Sequence, residues 1–365
     1  MKRIRPFMRP CLTILTLLLC ITQPVWAGVD TGLLEDSLPP AAQDTLDNIS
    51  PENIDLNQGI KGLWERAKTK AGEYIRQALS AGFLMLCACL IIALAVGFSG
   101  DAGLRLPEKL SDFTAVAVLL TIYFSAGSSL INECIKTIAQ LDGFIKVLTP
   151  VYVAASALAG RPVSAVATGE ITLFCSALVL WVCRYMILPG ISLYVLMDSV
   201  GTLLPTSILG KLAELFRWGV GKTMKWSLAG FTAYQTLSGM VTRSSDALAV
   251  KAAQSAFSSL IPVVGNMISS TSETLLGGAA LLRTSVGIYG VLAVCAICLG
   301  PILRAALHFF VFKVLSACGS SFLGSASART LRCITDGYGM AVGTLGICCT
   351  VEFIAIVVSA VVTAS

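Results

Sequence analysis

A long apolar segment in the C-terminal half sets the strictest limit on how this chain folds. Residues 275–300 carry a single formally charged side chain, Arg283. A run of roughly 20 apolar residues is long enough to cross the hydrocarbon core of a bilayer as an α-helix. Comparable runs occur at residues 78–98, 113–131, 171–197, 305–323 and 339–362. Because backbone groups inside lipid must bond within their own helix, the chain is predicted to be all-α and polytopic.

The composition favours the same class of protein. Of 365 residues, 55% are hydrophobic and 13% are charged, which is far from the average of a soluble domain. We expect about six to eight spans together with amphipathic or re-entrant helices. The net charge of +5 includes four positive side chains among the first nine residues, so no basic surface indicates a nucleic-acid partner.

The N-terminal region is predicted to be a targeting signal followed by a polar segment. Residues 1–27 combine a basic start, an apolar run and a small residue, Ala27, which is typical of a cleaved signal peptide. An uncleaved first span is the alternative, but the apolar run is short for a crossing. Residues 28–77 then form an extracytoplasmic segment, acidic at first and amphipathic from residue 58. Residues 78–365 form the transmembrane helical domain.

Charge placement gives an expected topology. Basic side chains outnumber acidic ones between residues 198 and 225, which favours the cytoplasm for this loop. From an extracytoplasmic N-terminus, that placement needs an odd number of crossings before Asp198. Residues 144–160 contain Pro150 and are short, so we interpret them as a re-entrant helix that leaves three crossings.

Two groups of small residues are candidates for helix packing or for lining a path. The weakly apolar stretch at residues 249–269 places small and hydroxyl side chains around one helix, interrupted by a proline. A GxxxG pair opens the last span and permits close helix approach, either within the chain or in a homo-oligomer. The candidates are Ser255, Ser258, Ser259, Pro262, Gly265, Gly339 and Gly343.

Three ionisable side chains lie inside apolar runs: Arg184, His308 and Glu352. A charged group within a bilayer costs at least a few kcal/mol, so each should face protein or water. One interpretation is a proton or ion relay. The other is structural pairing, for example of Glu352 with Arg184 or Lys313, and we favour it.

Two short motifs resemble a metal site and a phosphate-binding loop, but both are incomplete. Cys295 and Cys298 have CxxC spacing but lie in an apolar run without a second pair, which argues against a metal. Residues 219–223 resemble the end of a phosphate-binding loop, but Phe216 stands where that pattern needs glycine. We expect no cofactor, no metal and no enzymatic activity.

Several segments carry a resemblance to a known family. They are SAFSSLIPVVG and SETLLGGAALLRTSVGIYG in the stretch above, and LTPVYVAASALAG, LPGISLYVLM and KWSLAGFTAYQTLSGMV upstream. From about residue 78 onward, the chain resembles the stage III sporulation protein AE family of endospore-forming bacteria.

This resemblance implies a multi-pass protein of the mother-cell membrane around the forespore. Its partners would be the other subunits of the stage III AA–AH assembly, a secretion-like channel complex required for endospore development. The rival interpretation is a self-contained secondary transporter, with a substrate site between the helices broken near Pro189 and Pro262. A transporter of that kind should contain an internal repeat, and none is convincing here.

Replacing Ser258 with Leu should impair sporulation, because the larger side chain would block close helix contact or a water-filled lining. Membrane insertion should be unaffected, as judged by the amount of protein in the membrane fraction. Ser258→Ala keeps the side chain small and is the matched control. Wild-type spore counts in the Leu variant would remove the argument for this face.

Overall fold

The computed structural model describes residue 34 and residues 36–46, 56–101, 108–158, 162–203, 207–260, 265–319 and 323–362. Every regular element in these ranges is helical, as predicted. The helices are α1 (Pro40–Leu46), α2 (Leu56–Asp101), α3 (Glu108–Leu158), α4 (Pro162–Val182), α5 (Leu188–Gly201), α6 (Ser207–Leu260), α7 (Gly265–Gly319) and α8 (Ser325–Val362). A π-helical segment, Cys183–Ile187, joins α4 to α5 without a break. The predicted signal peptide, residues 1–27, lies outside the described residues.

The π-helical segment lies where the sequence predicts a kink. Pro189 lacks an amide hydrogen, and its ring would clash with the carbonyl of Tyr185 four residues earlier in a regular helix. Tyr185 lies within Cys183–Ile187, and a π turn relieves this conflict. The chain therefore continues helically past Pro189 rather than stopping there.

The long helices alternate in direction. Helices α7 and α8 are antiparallel. The Thr335 hydroxyl donates a hydrogen bond to the carbonyl of Phe312 at 3.2 Å, and Gly339, further along α8, lies against the earlier residue Phe309 of α7. α3 runs parallel to α8, because Tyr123 stacks on Tyr338 at one level and Asp142 lies near Glu352 at a higher one. Among the described residues, α2, α3 and the continuous helix formed by α4 and α5 make three traverses up to Asp198, an odd number as the charge argument requires.

Two expected elements have different boundaries in the structure. Residues 144–158 continue α3 through Pro150 and do not form a separate re-entrant helix. The spans expected at residues 275–300 and 305–323 are not separate, because residues 275–300 and 305–319 both belong to the single helix α7, which contains Pro301. A proline removes one hydrogen bond from a helix interior, and here packing on neighbouring helices outweighs that loss.

Five helices within the described residues are long and apolar enough to cross a membrane, fewer than the six to eight spans expected. They are Gln58–Ala95, Leu110–Val151, Phe174–Gly201, Ser285–Gly319 and Ser325–Val357. Two of the expected spans fall largely in the single helix α7, which lowers the number of separate spans by one. The boundary predicted between residues 77 and 78 lies inside α2, so the amphipathic segment and the first span form one helix.

Helix α8 lies at the centre of the bundle and packs against α3, α4, α5, α6 and α7. Glycines allow this close approach. A Cβ atom on Gly337 would lie 2.7 Å from Val195 of α5, and one on Gly343 would lie 2.8 Å from Met224 of α6. Both distances are below normal contact. The Val195 side chain is branched and stiff, so α8 lies this close to α5 only because Gly337 has no Cβ, whereas the flexible end of Met224 can shift.

Gly337→Ala should lower the free energy of unfolding by about 1–2 kcal/mol, because its Cβ would overpack against the stiff side chain of Val195. Gly346→Ala is the matched control on the same helix, since a Cβ there meets nothing within 4 Å. The control should be neutral or stabilising by up to about 1 kcal/mol. Thermal unfolding in detergent measures both, and equal melting temperatures would contradict the close packing described.

Candidate functional site

The buried carboxylate of Glu352 is the most unusual group in the bundle. Its side chain is 0% exposed, and neither carboxylate oxygen has a hydrogen-bond partner among the described residues. Helix α8 brings it to the centre because Val351 and Ala355 flank it on the buried face. Burying an ionised carboxylate among apolar side chains, with no partner for its charge, costs several kcal/mol of free energy.

Thiols and a second carboxylate surround Glu352. Asp142 of α3 and Cys349 both interact electrostatically with its carboxyl group. Cys298 of α7 is within hydrogen-bonding reach of Cys349, and Cys183 of the π-helical segment is within reach of Cys348. Two thiol pairs that join different helical segments therefore lie within one turn of the acid along α8.

This thiol cluster does not have the arrangement of a metal centre. No three His, Cys, Asp or Glu side chains among the described residues are grouped so as to hold a metal ion. The two cysteines of the CxxC pair have different surroundings: Cys298 is buried against Cys349, whereas Cys295 is half-buried. The cluster therefore offers small, polarisable packing groups around the acid.

The pairing that we favoured for Glu352 is not formed. Arg184 lies in the π-helical segment, with its guanidinium carbon 5.2 Å from the ring centre of Tyr185. Lys313 is exposed on α7. Neither side chain makes an ion pair with Glu352, so the structure contradicts these two pairings.

His308 lies in a different contact network. It is 7% exposed, and its Nδ1 lies 2.8 Å from the carbonyl oxygen of Arg304 one turn earlier. Its ring lies 6.2 Å from that of Tyr338. The three intramembrane ionisable residues therefore form no shared hydrogen bond within the part of the chain that the structure describes.

Three ion pairs between helices were missed by the sequence interpretation. Arg304 of α7 pairs with Glu133 of α3. Arg329 of α8 pairs with Asp198 of α5 at 2.8 Å, and Arg217 of α6 pairs with Asp336 of α8 at 3.0 Å. Arg217 was counted among the cytoplasmic charges of residues 198–225, and its pairing with Asp336 of α8 has no signal in the local sequence.

The packing candidates divide between described and undescribed side chains. Gly339 faces Phe309 of α7, and Gly343 faces Met224 of α6, so both contacts lie within the chain. The structure describes three of the candidates by their backbone alone, as residues of α6: Ser255, Ser258 and Ser259. Gly265 is the first residue of α7. Pro262 lies outside the described residues, and the path-lining role of all these residues stays a prediction.

Comparisons with known proteins agree with the resemblance. The family model described as stage III sporulation protein AE matches residues 51–364. The stage III sporulation protein AE of Bacillus subtilis (strain 168) is 24% identical over 200 residues, which is 55% of this chain and 50% of that protein. The matched stretch thus spans about half the length of this relative. No solved structure matches the chain.

Glu352→Gln should leave protein abundance and spore counts close to wild type, because the amide has the same shape and carries no charge to bury. Glu352→Lys, which must bury a charge, should lower abundance. Glu214→Gln, at an exposed position on α6, controls for loss of an acidic group. Normal abundance with complete loss of spores in the Gln variant would instead indicate that Glu352 carries protons.

Proposed function

The chain belongs to the stage III sporulation protein AE family, and from this premise we propose that it is a membrane subunit of the stage III AA–AH channel complex. That secretion-like complex would connect the mother cell and the forespore and would be required for endospore development. The family match over residues 51–364 is the observation that carries this proposal. A role in sporulation follows from the family itself.

Helix length supports membership of an assembly. Helices α2, α3, α6 and α7 have 46 to 55 residues, which corresponds to roughly 70–80 Å. A bilayer with its headgroups is about 40–45 Å thick. These helices therefore extend beyond the membrane, and their outer parts can contact other subunits.

The proposed location is the mother-cell membrane that surrounds the forespore, with residues 28–77 outside the cytoplasm. Five apolar helices support membrane insertion, and the family supports this cell type. Neither the family description nor any recognised motif names a reaction, so we propose that the chain is not an enzyme. It would act with the other subunits of the assembly, and formation of a homo-oligomer belongs to the same proposal.

A secondary transporter stays the second candidate because of one structural feature. The π-helical segment places Cys183 against Cys348, one turn before the unpaired acid Glu352. Irregular helical turns beside a buried acid are common in transport sites. This candidate requires Glu352 to be essential, whereas the channel-subunit proposal does not.

Affinity purification of the tagged full chain from sporulating cells should recover a ring-forming partner and an ATPase. A tagged, unrelated multi-span protein of the same membrane is the control for co-solubilised material. Recovery of the chain alone under several mild detergents, together with solute uptake by vesicles that contain only this chain, would contradict the proposal. That outcome would favour the transporter.

A further inference from the structure

Helix α6 runs antiparallel to the continuous helix formed by α4 and α5 and lies beside it at membrane depth. At one end, the backbone nitrogen of Gly210 is 3.2 Å from the point that a Cβ on Gly201 would occupy. At the other end, the Thr172 hydroxyl donates a hydrogen bond of 3.5 Å to the side-chain oxygen of Gln235. The candidate span Phe174–Gly201 lies between these two contacts. Residues 210–235 therefore lie alongside the full length of this span.

Two lysines of α6 lie near the middle of that depth. Lys222 and Lys225 follow Val220, which packs against Gly190 inside the span. At a rise of 1.5 Å per residue, both are at least roughly 15 Å along α6 from either end of residues 210–235. A lysine near the end of a span can extend its ammonium group to the membrane surface, but these two are too deep to do so.

The neighbouring helix shows that this level is apolar on its outer side. The two lysines add to the basic charge that favours the cytoplasm for residues 198–225. The continuous helix of α4 and α5, however, exposes large apolar side chains on both sides of their level. These are Phe174 and Trp181 toward one end and Leu193 and Leu196 toward the other. Because such side chains suit contact with lipid, the lysines lie at the level of the hydrocarbon core.

Both lysines are exposed, on a face of α6 that carries large apolar side chains. Leu215, Trp218, Lys222 and Trp226 follow one another at intervals of three and four residues, which places them on one side of the helix. The two tryptophans are 62% and 75% exposed. Neither lysine forms an ion pair with a described residue. The nearest acid along α6, Glu214, is about two turns before Lys222.

A third cation lies at the same level on the neighbouring helix. Since the helices are antiparallel and Val220 lies against Gly190, the level of Trp226 corresponds to Arg184. Arg184 is half-buried and also lacks an ion pair with a described residue. Cations at this depth are costly in lipid and are normally paired or face water. This face of α6 therefore requires a cover that carries negative charge.

We propose that this face, formed by Leu215, Trp218, Lys222, Lys225 and Trp226, binds a transmembrane helix of another subunit with a carboxylate near its middle. The carboxylate pairs with the two lysines, and the tryptophans pack against the apolar side chains of the same helix. Polar contacts join helices within membranes, and exposed tryptophans are typical of binding surfaces. The proposal rests on the proposed membership of an assembly and names the chemistry of one partner.

Charge argues against a second copy of this chain as the occupant. A two-fold interface would bring the same face of both copies together and set lysines against lysines, which is unfavourable. A head-to-tail contact would need an exposed, unpaired carboxylate at this depth. Of the described acids near that level, Glu352 is buried. Asp142 pairs with Lys146, and Glu133 pairs with Arg304.

The test uses the full chain in vesicles of phosphatidylcholine, together with synthetic transmembrane peptides of leucine and alanine. One peptide carries a single glutamate at its centre, and the other carries a glutamine there. Energy transfer from a dye on the C-terminus of the chain to a dye on the peptide reports association. Wild-type protein should bind the glutamate peptide at least about tenfold more tightly, since loss of one partner of a buried charge pair weakens binding by that much or more.

The double variant Lys222→Gln, Lys225→Gln should lose this preference for the glutamate peptide. The matched control Lys313→Gln, Arg332→Gln removes the same charge from exposed positions on α7 and α8 and should keep it. A preference that survives in the double variant, or disappears in the control, would overturn the proposal. Equal binding of both peptides to wild-type protein would do the same, and would leave lipid or water as the cover of this face.

Charge reversal gives an independent measurement if the neutral variant is poorly folded. The variant Lys222→Glu, Lys225→Glu should prefer a peptide with a central lysine over the glutamate peptide. A continued preference for the glutamate peptide would contradict the proposed pairing. Both positions are exposed, so neither variant changes a buried contact.

A second arm tests self-association through the same face. Benzoylphenylalanine in place of Trp226 is irradiated in vesicles that contain only this chain, with and without the glutamate peptide. A covalent product with the peptide is expected, and no covalent dimer. A dimer joined at this position would overturn the proposal and assign the face to a second copy. None of these measurements needs another subunit, so their failure is distinguishable from failure of the proposed channel complex, which co-purification tests.

Discussion

Close packing around α8 is the constraint on which the rest of the bundle depends. This helix is in contact with α3, α4, α5, α6 and α7, and its glycines determine how near those helices lie. Association of helices in lipid relies on packing rather than on exclusion of water, so small residues at the contacts matter more than in a soluble core. The unpaired acid Glu352 lies on the same helix, and its surroundings are therefore fixed by that packing.

Charge pairing between distant segments complements this packing. Arg304 and Glu133 are 171 positions apart in the chain, and Arg329 and Asp198 are 131 apart. Each pair lies between antiparallel helices and fixes their relative height, because a shift of one turn would separate the groups by about 5 Å. Each of these pairs is partly exposed, so its energetic contribution is modest while its geometric specificity is high.

The sequence predicted helices and membrane spans well because both depend on local apolar runs. It predicted helix ends less well, since Pro150 and Pro301 are breakers by local rules and yet lie inside α3 and α7. Whether a proline ends a helix depends on the neighbouring helices that pack beside it. The isolation of Glu352 was unpredictable for the same reason: Arg184 was a chemically suitable partner, but it lies against Tyr185.

The surroundings of Glu352 bear on whether the chain lines a path or scaffolds one. A path for ions or water needs polar groups in sequence along its length, whereas the known neighbours of Glu352 are thiols and one carboxylate, Asp142. His308 and Arg184 belong to other contacts. A relay through the centre of α8 would therefore lack successive donors within the described residues. Around Glu352, the described part of the bundle therefore has the packing of a scaffold rather than the continuous polar lining of a path.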